Sequence, residues 1–173
     1  MKKRKLKMPS GQEERGRLAS IEGFANEKIL CGILMKKYGN VSLVDLPLSP
    51  YDIIIVRKLD DGSEDIIKVQ SKTAKNKISF VGGSRGGKDR KYKSGIKTYV
   101  QSTKHSDCVV GVKQIDNKTE LYFVPTILIE KLERKSISLN KIAGLKDNYE
   151  MLERCKEKEF VIKKAIELNI LRP

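Results

Sequence analysis

Residues 53–56 read Ile-Ile-Ile-Val, four branched apolar residues in a row behind the turn Ser49-Pro50-Tyr51-Asp52. Such a run is the signature of a strand buried on both faces, so the chain must build a sheet covered on two sides. Asp52, at the mouth of that strand, is then fixed to the edge of a rigid sheet and not to a loose loop. Residues 66–74, Ile-Ile-Lys-Val-Gln-Ser-Lys-Thr-Ala, form a second strand. The Asp61-Gly62 step between the two marks a reversal, which predicts an antiparallel hairpin. Along the second strand Ile67, Val69 and Ser71 point one way, and Lys68, Gln70 and Lys72 the other. Gln70 and Lys72 thus share a face, with Cα atoms about 7 Å apart. The hairpin carries Asp52 alongside both, so an acidic oxygen, an amide oxygen and an ammonium group converge.

Upstream, the spacing predicts a helix over 21–38, stopped by Gly39-Asn40. Phe24, Glu27, Cys31, Leu34 and Tyr38 recur on one face at i, i+3/i+4 steps. Glu27 interrupts an otherwise apolar stripe. A lone carboxylate there is expensive to bury unless something pairs with it. It is either a ligand to a metal-bound water or the partner of a surface lysine. A short strand over 41–45 leads into Pro47 and Pro50.

The sequence Pro50-Tyr51-Asp52, a hairpin, then Gln70-Ser71-Lys72 resembles the PD-(D/E)xK nuclease superfamily, whose motif is an Asp after a turn followed by Glu/Asp-x-Lys on the next strand. The resemblance covers about residues 20 to 130. Tyr51 intervenes between the Pro and the Asp, and Gln70 replaces the acid. Gln-x-Lys variants occur among active members of the superfamily, including intron-encoded homing endonucleases. The resemblance implies an α/β, restriction-endonuclease-like core, a mixed β-sheet of about five strands flanked by helices. It implies Mg2+ (or Mn2+) held by Asp52, the Gln70 amide oxygen and the Ser71 carbonyl. Glu27 would hold a metal-bound water, as a first-helix glutamate does in many members, and Lys72 would face the scissile phosphate. Magnesium suits such oxygen donors, because it takes one or two carboxylates together with water and phosphate oxygens.

A formal net charge of +14 over 173 residues favours a polyanionic partner, nucleic acid first. Aromatics make up 6% and Trp is absent, which argues against a stacking platform for single strands. No apolar run approaches the ~20 residues that span a bilayer, and the N-terminus lacks the apolar core of a secretory signal. Cys31, Cys108 and Cys155 form no CxxC pair and there is one His. They read as reduced core thiols of a cytoplasmic protein and not as a zinc site.

Residues 1–20, with Lys2, Lys3, Arg4, Lys5 and Lys7, read as a flexible basic arm, either touching phosphates or merely solvated. Residues 75–90 form a basic, Gly-rich loop. Gly82 to Lys88 formally fits G-x-x-x-x-G-K, but Asp89 occupies the Ser/Thr position, so a P-loop is excluded. Lys75, Lys77, Arg85, Lys88, Arg90 and Lys91 are the candidate DNA-phosphate contacts, against a plain surface linker. A short helix is expected over 94–104 with Ile96, Tyr99 and Val100 on one face and His105 as its C-terminal cap. Strands follow over 107–113 and 120–124, with a helix capped by Thr126 running to Leu132. Glu64 and Asp65, beside the hairpin turn, are expected to be solvated.

The nuclease-like core thus spans 21–132. A helical extension over 133–173, strongest over 149–169, either packs on that core or forms a dimer interface. The expected activity is metal-dependent hydrolysis of DNA, in duplex or branched form. A homodimer or higher symmetric assembly would supply two sites for a double-strand cut. A non-catalytic DNA-binding module on the same fold is the alternative, and a basic RNA-associated protein a third class that leaves the Asp strand unexplained.

Overall fold

The computed structural model describes residues 11–46, 49–83 and 98–172. Its centre is a mixed five-stranded sheet. The strands are β1 (Val41–Leu43), β2 (Ile53–Lys58), β3 (Glu64–Thr73), β7 (Cys108–Ile115) and β8 (Lys118–Pro125), in the order β1-β2-β3-β7-β8. Between β3 and β7 the chain makes the short strands β4 (Lys77–Ser79), β5 (Val81–Gly82) and β6 (Tyr99–Val100). The hairpin forms as expected: Ile53 pairs with Val69 and Ile55 with Ile67, antiparallel. Gly62 turns the chain at φ 82°, a conformation that costs glycine nothing. β3 and β7 run parallel, with Gln70 opposite Val109 and Ser71 opposite Val110. Two aspects of Asp107 pin that register. Its side chain accepts the Lys68 amide (2.7 Å) and its own N–H reaches the Lys68 carbonyl (2.8 Å).

The sheet is buried where its apolar residues cluster. Ile53, Ile55, Ile67 and Val69 are buried with Cys108 to Val110 of β7 and Leu121 to Val124 of β8. Each such aliphatic side chain contributes about 1.5–3 kcal/mol on leaving water. Gly111 lies where β7 passes under β4. A Cβ there would strike the Ile78 Cδ1 methyl and stand 2.7 Å from its Cγ1, so this strand tolerates no side chain at that point.

Helix α1 (Gln12–Tyr38) covers one face. It begins at Gln12 and not at residue 21, so residues 12–20 are helical; the Lys2–Lys7 cluster of the expected arm lies outside the described residues. Gly39 ends the helix at φ 76°, its N–H bonded to the Met35 carbonyl, as the Gly-Asn stop predicts. The buried stripe is Asn26, Leu30, Cys31 and Leu34, with Glu27 and Tyr38 partly covered. Phe24 belongs instead to solvent, 60% exposed. It sits a full 100° from the stripe's centreline when Leu30 and Leu34 define it.

The helix expected over 94–104 is replaced at its described end by β6, which pairs antiparallel with β5. Aromatic and β-branched Tyr99-Val100 suits a pleated ribbon. The Gln101 N–H extends the pairing to the Phe80 carbonyl (2.8 Å). With no helix over the described residues 98–104, His105 is not a helix cap: its Nδ1 meets Ser102 Oγ at 2.9 Å and its ring stacks on Tyr99 at 4.2 Å. Helix α2 (Thr126–Leu132) follows β8, but Thr126 is not its side-chain cap. The Thr126 hydroxyl donates inward to the Ser106 carbonyl (2.7 Å).

Beyond residue 132 the chain is not helical alone. β9 (Ser136–Ser138) pairs antiparallel with β4, Ile137 opposite Ile78. A 3-10 turn (Leu139–Leu145), α3 (Tyr149–Glu153) and α4 (Lys158–Glu167) then follow, so the helix expected over 149–169 is split in two. Ile142, Leu145, Met151, Leu152, Val161 and Ala165 join the same buried core. The extension therefore packs on the core. All three cysteines are buried free thiols, and no helix among the described residues is long and apolar enough to cross a membrane.

Candidate active site

Asp52 stands one step before β2 and continues its ladder. Its N–H bonds to the Val69 carbonyl (2.9 Å) and its carbonyl accepts the Val44 N–H (2.8 Å). The backbone is thus clamped between the residue after β1 and the middle of β3. The register that pairs Ile53 with Val69 sets Asp52 across from Gln70. Ser49 shapes the approach: its hydroxyl donates to the Tyr51 carbonyl (2.6 Å) and aims the Pro50 turn.

The side chains follow from that register. Asp52 Oδ2 accepts hydrogen bonds from Gln70 Nε2 and from the Ser71 amide, the latter at 2.8 Å. The same Gln70 Nε2 donates to the Ser71 carbonyl (3.2 Å). Two oxygens, one carboxylate and one main-chain, therefore converge on a single donor group. Gln70 Oε1 points the other way and accepts from Gln101 Nε2 (3.1 Å). The amide oxygen expected beside Asp52 is accordingly turned away, and the NH2 end faces the carboxylate.

Lys72, two residues on, lies half-buried with Nζ donating to the Val81 carbonyl (3.2 Å). Burial lowers its pKa, against the opposing pull of Asp52 and Glu27. The charge of Glu27 thus reaches the same spot from α1. Its placement comes from its neighbour: buried Asn26 donates through Nδ2 to Thr73 Oγ1 (3.0 Å) and fastens α1 to β3. Burial and then the Asp52 charge raise the Glu27 carboxyl from 4.5 to about 7. Burial likewise raises Asp52, although the Ser71 N–H and the Lys72 ammonium pull it down. Glu27, Asp52, Gln70 and Lys72 are therefore one electrostatically coupled group, gathered from α1 and the β2–β3 hairpin.

The converging oxygens are of the type a hard divalent cation takes, at a point that the Gln70 NH2 group now fills. Asp52 Oδ2 and Ser71 O already share one partner with positive character, and the Glu27 carboxyl, raised by burial and by the Asp52 charge, is electrostatically coupled to the point. Among the described residues no three His, Cys, Asp or Glu side chains cluster as a ready-made metal cage. An ion here would take the Asp52 carboxylate, the Ser71 carbonyl and water, with Glu27 reaching it through water, a donor set that magnesium accepts.

Of the candidate phosphate contacts, Lys75 is exposed and its Nζ lies 3.3 Å from Glu22; Lys77 is exposed at the start of β4. Arg85, Lys88, Arg90 and Lys91 lie outside the described residues. Sequence reasoning missed Asn26, whose signal was available as a second polar residue on the apolar stripe. It also missed Gln101 and Ser106, 1% exposed each. Nothing in the local pattern marks those two as buried.

No family model, curated protein or solved structure matches the chain.

Proposed function

We propose that the chain is a metal-dependent DNA endonuclease of the PD-(D/E)xK type, in a Gln-x-Lys variant. The observation that carries this reading is the gathering of Glu27, Asp52, Gln70 and Lys72 at one end of a buried hairpin, with Asp52 Oδ2 and the Ser71 carbonyl converging on one point. The five-stranded mixed sheet with α1 across it is compatible with a restriction-endonuclease-like core, and the +14 charge with a DNA partner.

When bound, Mg2+ or Mn2+ would supply charge neutralisation at the phosphoryl oxygens and acidify a water. Asp52 and the Ser71 carbonyl would hold it, with Glu27 reaching it through water. Lys72 carries its ammonium on the same face as Gln70, where it offsets charge developing on the scissile phosphate. Glu27, ionising near neutrality, is suited to accept a proton from a nearby water at the pH of the cell. Cutting both strands would require a homodimer or a higher symmetric assembly. Basic side chains such as Lys75 and Lys77 would follow the backbone.

The orientation of Gln70 favours a second reading, a DNA-binding protein without catalysis, because its NH2 group stands where a cation would go. Supercoiled plasmid incubated with Mg2+ or Mn2+ separates the two. The endonuclease reading expects nicked or linear product from the wild type and a loss of at least roughly a hundredfold in Asp52→Ala and Lys72→Ala, with DNA binding retained. Salt-sensitive binding and no nicking with either metal would leave only the second reading. Linear duplex, a branched junction and single-stranded DNA run in parallel would identify the substrate class.

A further inference from the structure

We propose that Gln101 is a positioning residue that fixes which end of the Gln70 side-chain amide faces Asp52, and that it thereby opposes metal binding. This rests on the endonuclease reading for its metal, but not for the orientation itself.

Gln101 is 1% exposed, and each end of its amide has a buried partner. Nε2 donates to the Pro50 carbonyl (3.0 Å) and to Gln70 Oε1 (3.1 Å). Oε1 accepts from Ser106 Oγ (3.0 Å), itself 1% exposed. A main-chain carbonyl can only accept. The Pro50 contact therefore forbids Gln101 from reversing its amide, since reversal would set oxygen against oxygen. With Gln101 fixed, its NH2 group demands an acceptor from Gln70, which is 8% exposed. Gln70 must give its Oε1 to Gln101, and its Nε2 is left to bridge Asp52 Oδ2 and the Ser71 carbonyl.

The bridge occupies the point on which those two oxygens converge. For Gln70 to join them as an oxygen donor, its amide must turn over. That would bring its NH2 against the NH2 of Gln101, two donors with no acceptor between them, in a space with little access to water. Such a mismatch leaves buried polar groups unsatisfied, a cost that outweighs one ordinary hydrogen bond. The chain Pro50–Gln101–Gln70 thus holds the site in a state where an amide, not an ion, neutralises Asp52. Metal entry has to break that chain, so Gln101 sets a threshold in metal concentration for activity.

The test uses the full chain and two variants. Gln101→Met keeps the volume and removes the donor. Gln101→Met combined with Ser106→Ala also removes the hydroxyl that the first change would orphan, and serves as the second variant where the first unfolds. The first readout is the Gln70 side-chain amide in nitrogen-15 NMR spectra of EDTA-treated protein, assigned by its absence in Gln70→Ala. The expected result is a displaced Gln70 amide signal whose protons exchange with water at least about tenfold faster, as for an amide released from a buried network. The second readout is Mn2+ affinity by titration calorimetry, expected to rise about fivefold, the ratio that one net hydrogen bond is worth. A Gln70 amide that neither moves nor exchanges faster overturns the positioning role, whatever happens to the melting temperature. A moved amide with unchanged or weaker Mn2+ affinity overturns the opposition to metal. A moved amide with no Mn2+ binding in any protein, wild type included, upholds the orientation and removes the endonuclease reading instead.

Discussion

The β2–β3 hairpin carries a partly buried carboxylate near each end, and the two are treated in opposite ways. At the turn end, Asp65 is met by Arg57 Nη2 at 2.5 Å and by Lys156 Nζ at 2.7 Å. Burial pushes its pKa up, but the hydrogen bonds from Arg57 and Lys156 outweigh this and hold it below 3.8. The expectation that Asp65 is solvated is corrected here, because Arg57, its cross-strand partner, and a lysine after α3 enclose it. At the other end, Asp52 has hydrogen bonds from an amide and a main-chain N–H but, among the described residues, no cation bonded to it, and its pKa is raised along with that of Glu27. A carboxylate matched by cations serves the fold. On the proposed endonuclease reading, the Asp52–Glu27 pair is held for a metal ion that brings positive charge.

The sharpest way to break that comparison exchanges the two acids for amides. Asp52→Asn keeps an oxygen for the Gln70 and Ser71 donors while removing the charge. Plasmid cleavage is expected to fall at least roughly a hundredfold, with a melting temperature equal to or above that of the wild type. Asp65→Asn is expected to cost about 1–2 kcal/mol in urea unfolding, because it strips a partly buried guanidinium of its counter-ion, and to leave cleavage within about twofold of the wild type. If Asp65→Asn abolishes cleavage and Asp52→Asn spares it, the two ends have been assigned the wrong way round.

Much of this layout is legible in the amino-acid sequence. The Ile-Ile-Ile-Val run, the Asp-Gly reversal and the alternation through Lys68, Gln70 and Lys72 specify the hairpin and which residues share a face, because a one-residue slip would turn Ile67 and Val69 outward. The pairing of Ile53 with Val69 then sets Asp52 across from Gln70. What was not legible is set by contacts distant in sequence. The segment holding Tyr99 and Val100 reads as helix by local spacing, and only the buried Phe80 carbonyl and the β5 edge make it a strand. The direction of the Gln70 amide is beyond any strand pattern, since it depends on Gln101, thirty-one positions away along the chain. Gly111 gave no sign of itself either, because its neighbour Ile78 reaches it through the fold alone.

The pH dependence of stability differs in sign between the two ends. Glu27 has a folded pKa of about 7 against 4.5 for the free group, so between those values the folded state binds more protons than the unfolded one. Stability of the metal-free protein therefore falls as pH rises through that window and stays lower above it. Asp65, held below 3.8, contributes stability that is present above its unfolded value and lost as pH falls through its folded value. In EDTA, the wild-type melting temperature should drop by a few degrees between pH 5 and pH 8, and Glu27→Gln should remove most of that drop. Asp65→Asn should keep it and instead lose the acid-side decline. A Glu27→Gln profile parallel to the wild type would show that the carboxylate is not under strain.

The smallest effects concern the lysines at each end. Lys75 and Glu22 form an exposed pair at 3.3 Å, with side chains 76% and 40% exposed, and such pairs contribute little to folding. Lys75→Ala should change stability by less than about 0.5 kcal/mol. Its consequence should appear in DNA binding, where one lost phosphate contact makes the slope of log affinity against log salt shallower by about 1. Lys156→Ala makes the matched comparison, because that lysine is committed to Asp65 and to the Ile66 carbonyl. It should lower stability and leave the salt slope alone. Identical slopes for wild type and Lys75→Ala would put the DNA path elsewhere on the surface. A shallower slope for Lys156→Ala would extend that path to the turn end of the hairpin, and the division between a structural and a functional end would then fail for the cations even where it holds for the acids.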